Sequence, residues 1–214
     1  MTRPFILDLE TGARPLAEIE HLLPVIEPPS NWKDEAKRTA YVAEKREQLL
    51  RDAALDAVLS RVLAVGILRG DGPPQFITDD DEASLLRQTW HTLETREADE
   101  TYVTFNGTKF DWPTLARRSF ACGVPVPRWL PLDGRWPARS HCDLLTLWQA
   151  GDRQEFVSLD RLSRMILGQG KSGDGANFAG LWATDRPAAL DYLRQDLELT
   201  RALWHRMAGW GVSA

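Results

Sequence analysis

Apolar residues in this chain fall in short blocks divided by breakers, and the spacing inside each block predicts an element. Phe5-Ile6-Leu7-Asp8-Leu9-Glu10 is apolar with acids at two alternate positions, and Thr11-Gly12 breaks the run. That pattern predicts a buried strand whose last residues carry carboxylates. Val62 to Leu68 and Pro74 to Thr78 read as two further strands joined through Gly70-Asp71-Gly72, a hairpin, and Thr101 to Phe105 reads as another. Helical composition without Gly or Pro runs from about Trp32 to Leu59, long enough for a long or broken helix. Asp79 to Glu82 can cap a helix reaching about Glu97, and Pro113 suits the first turn of one from about Trp112 to Cys122. A short element at Ser140 to Leu145, a helix at Leu159 to Leu167 and a closing helix from about Arg186 to Met207 complete the pattern. Between them lie a Pro- and Trp-rich loop (Pro125, Pro127, Pro131, Pro137) and a glycine-rich loop from Gly168 to Gly175. Strands interleaved with helices imply a mixed sheet covered by helices on both faces, an α/β domain.

The length of 214 residues suits one domain with a complete core. The expectation is a single domain over 1–214, with about 28–60 as a helical insertion between the first and second strands. At 43% hydrophobic and 27% charged residues, the composition argues against disorder or a disulfide-built miniprotein. No apolar stretch approaches the ~18 residues that cross a bilayer, and Met1-Thr2-Arg3-Pro4 leads into no cleavage site. A soluble, cytoplasmic protein is expected, with no membrane partner. The formal charge of −5 excludes a bulk DNA-coating role, so any nucleic-acid contact must be local. Cys122 and Cys142 fit neither a zinc knuckle nor a redox pair and read as two buried thiols.

The candidate chemistry is acidic. Asp8 and Glu10, two apart on a strand, emerge on the same face. Ionised acids a few ångströms apart repel and lose hydration, so such a pair persists with a cation or with raised pKa values. Asp111 follows Tyr102-Val103-Thr104-Phe105-Asn106-Gly107-Thr108-Lys109-Phe110, where a strand gives way to a helix. Tyr192 and Asp196, four apart in the closing helix, stand one turn above each other.

Taken in order, Asp8-x-Glu10, Asn106-x-x-x-Phe110-Asp111 and Tyr192-x-x-x-Asp196 resemble the three exonuclease motifs of the DEDD superfamily, in the subgroup with tyrosine in its third motif. The likeness is to 3'-5' exonuclease domains related to the proofreading domains of family B DNA polymerases, including stand-alone, phage-associated versions. It extends to Asp-Leu-Glu-Thr-Gly at the first motif and Thr-Phe-Asn-Gly-x-x-Phe-Asp at the second.

The resemblance implies a ribonuclease H-like fold, a five-stranded mixed central sheet with the acids gathered at one edge. It implies Asp8, Glu10, Asp111 and Asp196 as metal ligands, and four carboxylates without histidine or thiolate favour Mg²⁺ or Mn²⁺ over zinc. Two such ions about 3.5–4 Å apart hold a phosphodiester and activate water for in-line attack. By that analogy Asp8 bridges both ions, Glu10 and Asp196 complete the site of the attacking water, and Asp111 holds the second ion largely through waters. Tyr192 orients or helps deprotonate that water; with an ordinary pKa near 10 it is a poor base at neutral pH. Asn106 positions substrate and Phe110 packs, and Asn106, Phe110 and Lys171 are the candidate substrate-binding residues. The implied activity is release of nucleoside 5'-monophosphates from the 3' end of a single strand, DNA before RNA, with a polymerase or another replication or repair protein as a further partner. RNA trimming on the same fold and a catalytically silent nucleic-acid binder are the alternatives.

For holding substrate, Gly170-Lys171-Ser172 lacks the upstream glycine of a phosphate-binding P-loop, but Lys171 on a glycine-rich loop can reach an anion. The charged residues of the insertion, among them Lys37, Arg38, Arg46, Glu47 and Arg51, read either as a solvated face with i,i+4 ion pairs or as an arm over the substrate. Arg128, Arg135 and Arg139, interleaved with Trp129 and Trp136, read either as a loop pinned by Trp packing or as a single-strand contact. His141 reads as a surface histidine outside the site.

Overall fold

The computed structural model describes residues 2–133, 135–136, 140–152, 154–171 and 178–211, with the side chains of 208–211 left aside. In chain order the elements are β1 (Arg3–Ala13), α1 (Leu16–Ile19), α2 (Glu35–Asp52), β2 (Ser60–Arg69), β3 (Gln75–Ile77), α3 (Glu82–Glu94), β4 (Glu100–Thr104), α4 (Asp111–Ala121), β5 (His141–Asp143), α5 (Leu144–Gln149), α6 (Leu159–Leu167), α7 (Phe178–Thr184) and α8 (Arg186–Gly211). Five strands form one sheet in the order β3-β2-β1-β4-β5. β2 and β3 pair antiparallel, whereas β1–β4 and β4–β5 are parallel, so the sheet is mixed as the α/β pattern requires. The architecture is ribonuclease H-like.

The alternation along β1 decides what each face touches. Phe5, Leu7 and Leu9 pack with Leu85, Leu86 and Trp90 of α3 and Trp112 and Leu115 of α4. Ile6 points the other way, into a cluster with Leu68, Val103, Leu144 and Leu145 of α5, Leu162 of α6 and Leu197 of α8. With a side-chain period of two, Asp8 and Glu10 share the face of Ile6, the one that α8 covers. Close approach of α8 to the sheet depends on Gly66 of β2. A Cβ there would stand 2.8 Å from Leu197 Cδ1 and 3.0 Å from Leu193 Cγ. The core is thus two apolar layers, and the acids of β1 stand where the layer under α8 ends.

Several elements differ from the sequence expectation. α1, α5 and α7 are 4, 6 and 7 residues long, at most two turns, too short for helical periodicity to declare itself. The element expected at Ser140 to Leu145 is a junction instead: β5 stops at Asp143, whose side chain accepts from the amides of Leu145 and Thr146 and starts α5. α2 is shorter than the 32–59 run because Asp34 caps it at one end and a 3₁₀ turn, Ala53–Leu55, follows it at the other.

Contacts divide the chain into two compact units, Met1–Glu10 with Val62–Ala214, and Thr11–Arg61. In the smaller unit no residue of α2 is buried. Its charges pair locally, Arg51 with Glu47 at 2.7 Å and Arg46 with Glu20 at 2.5 Å, and Lys37 lies over the Trp32 ring at 4.2 Å. This matches the solvated-face reading of those charges.

Candidate active site

β1 and α8 bring Asp8, Glu10 and Asp196 together: one carboxylate oxygen of each lies within 4.8 Å of the others. Asp196 is 5% exposed, and Asp8 and Glu10 are half-buried. Tyr192, one helical turn before Asp196, puts its hydroxyl on the same face. Lys171 enters from the loop after α6. Its ammonium contacts the Tyr192 hydroxyl, donates to Asp196 Oδ2 at 2.8 Å and lies over the Tyr192 ring at 4.3 Å. Asp196 Oδ1 stands 2.7 Å from the same nitrogen yet accepts no hydrogen bond among the described residues.

The electrostatics follow from this crowding. Burial, with the Asp196 charge added, pushes the Asp8 carboxyl up to about 8. Glu10 is also raised, by burial first and then by Asp8 and Asp196. Asp196 is raised by burial, with Lys171 working against the shift. Although burial disfavours its charge, Lys171 is pushed up to about 12 by Asp196 and Tyr192 and stays an ammonium. Burial and Asp196 push Tyr192 up to about 12 as well, so its hydroxyl keeps its proton at neutral pH.

Asp111 stands behind this cluster rather than in it. It is 2% exposed, opens α4, and its Oδ1 accepts from the Leu9 amide at 3.1 Å, on the strand between Asp8 and Glu10. Burial, then the charges of Asp8 and Asp143, raise its pKa. The turn before it carries Asn106 in the left-handed region at φ 66°. A Cβ on Gly107 would collide with the Thr104 side chain, so glycine alone fits there. Asn106 is half-buried, and Phe110 packs against the apolar cluster of α3 and α4, as expected of a packing residue.

Two features escaped the sequence reading. Asp143, on β5, bonds the turn at two amides, Asn106 at 2.8 Å and Thr108 at 2.9 Å; an acid before an apolar pair signals a helix cap and nothing more. His141 is not a surface histidine. It lies in β5, its Nε2 accepts from Trp112 Nε1 at 3.1 Å and meets Thr104 Oγ1 at 2.9 Å, and burial pulls its pKa down to about 4. Trp129 stacks on Tyr102 at 5.4 Å and Trp136 packs on Trp112 at 4.9 Å. The loop is therefore pinned to the body by its tryptophans. Arg139 and residues 172–175 of the glycine-rich loop lie outside the described residues. Cys122 and Cys142 are free thiols, half-buried rather than fully buried. Among the described residues no helix is long and apolar enough to cross a membrane.

Residues 56–210 match a family described as a predicted 3'-5' exonuclease related to the exonuclease domain of PolB. The match includes Asn106, Phe110, Asp111, Lys171, Tyr192 and Asp196, and begins after Asp8 and Glu10. No curated protein matches the chain. Among solved structures the chain is similar to the family B DNA polymerase from the hyperthermophilic archaeon Pyrobaculum calidifontis. The TM-score is 0.62 and the identity 18%, over 97% of this chain and 25% of the polymerase. The chain therefore spans a quarter of that polymerase's length, and at this identity the likeness is one of fold.

Proposed function

The chain belongs to the family of predicted 3'-5' exonucleases related to the exonuclease domain of PolB, and we propose that it removes nucleotides from the 3' end of single-stranded DNA with the aid of divalent cations. The observation that carries this reading is the convergence of Asp8, Glu10 and Asp196, with the Tyr192 hydroxyl on the same Lys171 ammonium as Asp196. A module that only bound nucleic acid would gain nothing from acids that repel one another and the phosphates, whereas metal-dependent phosphodiester hydrolysis uses an anionic cradle for cations.

The donor set fits Mg²⁺ or Mn²⁺. It consists of hard carboxylate oxygens, one of which, Asp196 Oδ1, is buried 2.7 Å from the Lys171 ammonium and accepts no hydrogen bond among the described residues. Such ions supply Lewis acidity, an acidified water and charge neutralisation at the phosphate. Asp8, Glu10 and Asp196 would hold them, with Asp111 behind Asp8 acting at longer range. Tyr192, protonated at neutral pH, orients the attacking water by hydrogen bonding and does not take its proton. Lys171 balances Asp196 in the metal-free protein, and its ammonium is placed to take a phosphate oxygen once the carboxylate is otherwise engaged. Asn106 holds the strand end, and the single-domain organisation over 1–214 is part of the same proposal.

The test uses single-stranded DNA and RNA labelled at the 5' end, with Mg²⁺, Mn²⁺ or EDTA. A ladder from DNA that requires the ion supports the proposal. A ladder from RNA alone would make the protein an RNA-trimming enzyme. Immediate release of the labelled nucleotide would reverse the polarity, and binding without cleavage in Mn²⁺ would leave a silent binder.

A further inference from the structure

We propose that Asp143 is a positioning residue for this site: it locks the turn from Asn106 to Asp111 and thereby sets where Asp111 stands against the strand that carries Asp8. The inference rests on the exonuclease reading for its catalytic consequence, but its geometry is independent of that reading.

β5 pairs parallel with β4, and Thr104 is the register partner of Asp143. Asp143 therefore stands beside the point where the chain leaves β4 for the turn. Its Oδ1 accepts from the Asn106 amide at 2.8 Å, and from Leu145 and Thr146 at 3.0 and 3.4 Å; its Oδ2 accepts from the Thr108 amide at 2.9 Å. The side chain is 7% exposed, so this ring of four N–H donors replaces water around a buried carboxylate.

Helix capping alone does not account for this arrangement. A cap needs one acceptor, which Ser or Asn provides as well as Asp. Among the described residues the second oxygen accepts from Thr108 alone and gives α5 nothing, and the Asn106 bond also leaves the helix. The turn, for its part, needs an external hold. Asn106 sits at φ 66°, a conformation sustained by its surroundings, and Gly107 is pressed against Thr104. From the anchored amides the chain closes inward: Phe110 N bonds Asn106 O at 3.0 Å and Trp112 N bonds Gly107 O at 3.0 Å. Asp111 lies between those two bonds, its carboxylate on the Leu9 amide. Releasing Thr108 and Asn106 frees the frame that aims Asp111.

Two variants separate the roles. Asp143→Asn keeps one oxygen for the cap and for Asn106 but offers Thr108 no acceptor; Asp143→Ser keeps the cap alone. In EDTA, ¹H–¹⁵N spectra should show the Thr108 amide moving upfield in Asp143→Asn, and both Thr108 and Asn106 in Asp143→Ser, with Leu145 little changed. Outer groups that orient ligands typically contribute about 10–100-fold in metal affinity or activity. The weaker class of Mn²⁺ sites, followed calorimetrically, should therefore lose about tenfold in Asp143→Asn and more in Asp143→Ser. On single-stranded DNA kcat should fall in the same order. Lowered melting temperatures with unchanged Mn²⁺ affinity, kcat and KM would overturn the proposal and leave Asp143 a structural cap. Unmoved Thr108 and Asn106 amides would overturn it too. If the wild-type chain cleaves neither DNA nor RNA, the exonuclease reading falls, and the amide and Mn²⁺ data still decide whether Asp143 anchors the turn.

Discussion

Acids stand toward both ends of the central β1–β4 pair, at the start of β4 and in the second half of β1, and the two ends treat them in opposite ways. Where the strands begin, Arg3 bonds Asp99 at 2.8 Å and Glu97 at 2.5 Å, and Arg69 forks onto Glu100 at 2.9 and 2.6 Å. Glu100 is 1% exposed, yet the Arg69 fork and the Glu97 amide overcome burial and hold its pKa below the ordinary value. Toward the other end, Asp8 and Glu10 face Asp196 of α8, the one ammonium on Asp196 among the described residues is that of Lys171, and all three acids are raised. One set of acids is matched by guanidinium groups; the other, among the described residues, is short of positive charge. Folding gains nothing from the second arrangement, which is why the shortage marks the site.

The largest effect should come from the unmatched end. Asp8→Ala or Asp196→Ala should lower turnover by at least ~10³-fold, because each removes a donor to the cations; in EDTA stability holds or rises in Asp8→Ala as repulsion is relieved, and falls in Asp196→Ala, which leaves the Lys171 ammonium without its partner. Rates on single-stranded DNA together with melting in EDTA check both halves. Tyr192→Phe keeps every carboxylate and should lower the single-turnover rate by about 10²-fold, with Mn²⁺ affinity little changed in a titration. An unchanged rate would make Tyr192 a packed helix residue.

Glu100→Gln, at the matched end, should do the reverse. It strips Arg69 of its charged partner and should cost about 1–3 kcal/mol of stability in denaturant melts, with kcat unaltered. Last is the pH response, which is spread over several pH units. Since the Asp8 carboxyl is raised to about 8 in the fold, the native state holds more protons than the unfolded chain between about pH 4 and 8. Metal-free stability contributed by Asp8 is complete below that window and is lost as pH rises through it, at up to about 1.4 kcal/mol per pH unit for one proton. His141 has the opposite sign. With its pKa drawn down to about 4, its contribution is present above about 6.5 and disappears as pH falls toward 4. Melting in EDTA from pH 4 to 8, compared with Asp8→Asn, isolates the first slope.

Local pattern carried much of this molecule. Alternation in Phe5 to Glu10 was enough to put Asp8 and Glu10 on one face, and the four-residue spacing was enough to put Tyr192 with Asp196, because both follow from backbone periods. α6 matches its expected span, Leu159 to Leu167, since Ser158 caps it and Gly168 closes it in the left-handed region. The contacts between distant segments could not be read that way. Lys171 meets Asp196 across 25 positions, and Asp143 holds amides 35 and 37 positions earlier. Asp111 turned out to spend an oxygen on the Leu9 amide, and His141 to be half-buried against Thr104 and Trp112. The contacts of Asp143, Asp111 and His141 depend on strand order, and the place of Asp196 on how closely α8 packs over Gly66. Periodicity acts along a single segment, whereas burial, charge pairing and hydrogen-bond partners belong to whichever segments the sheet brings side by side.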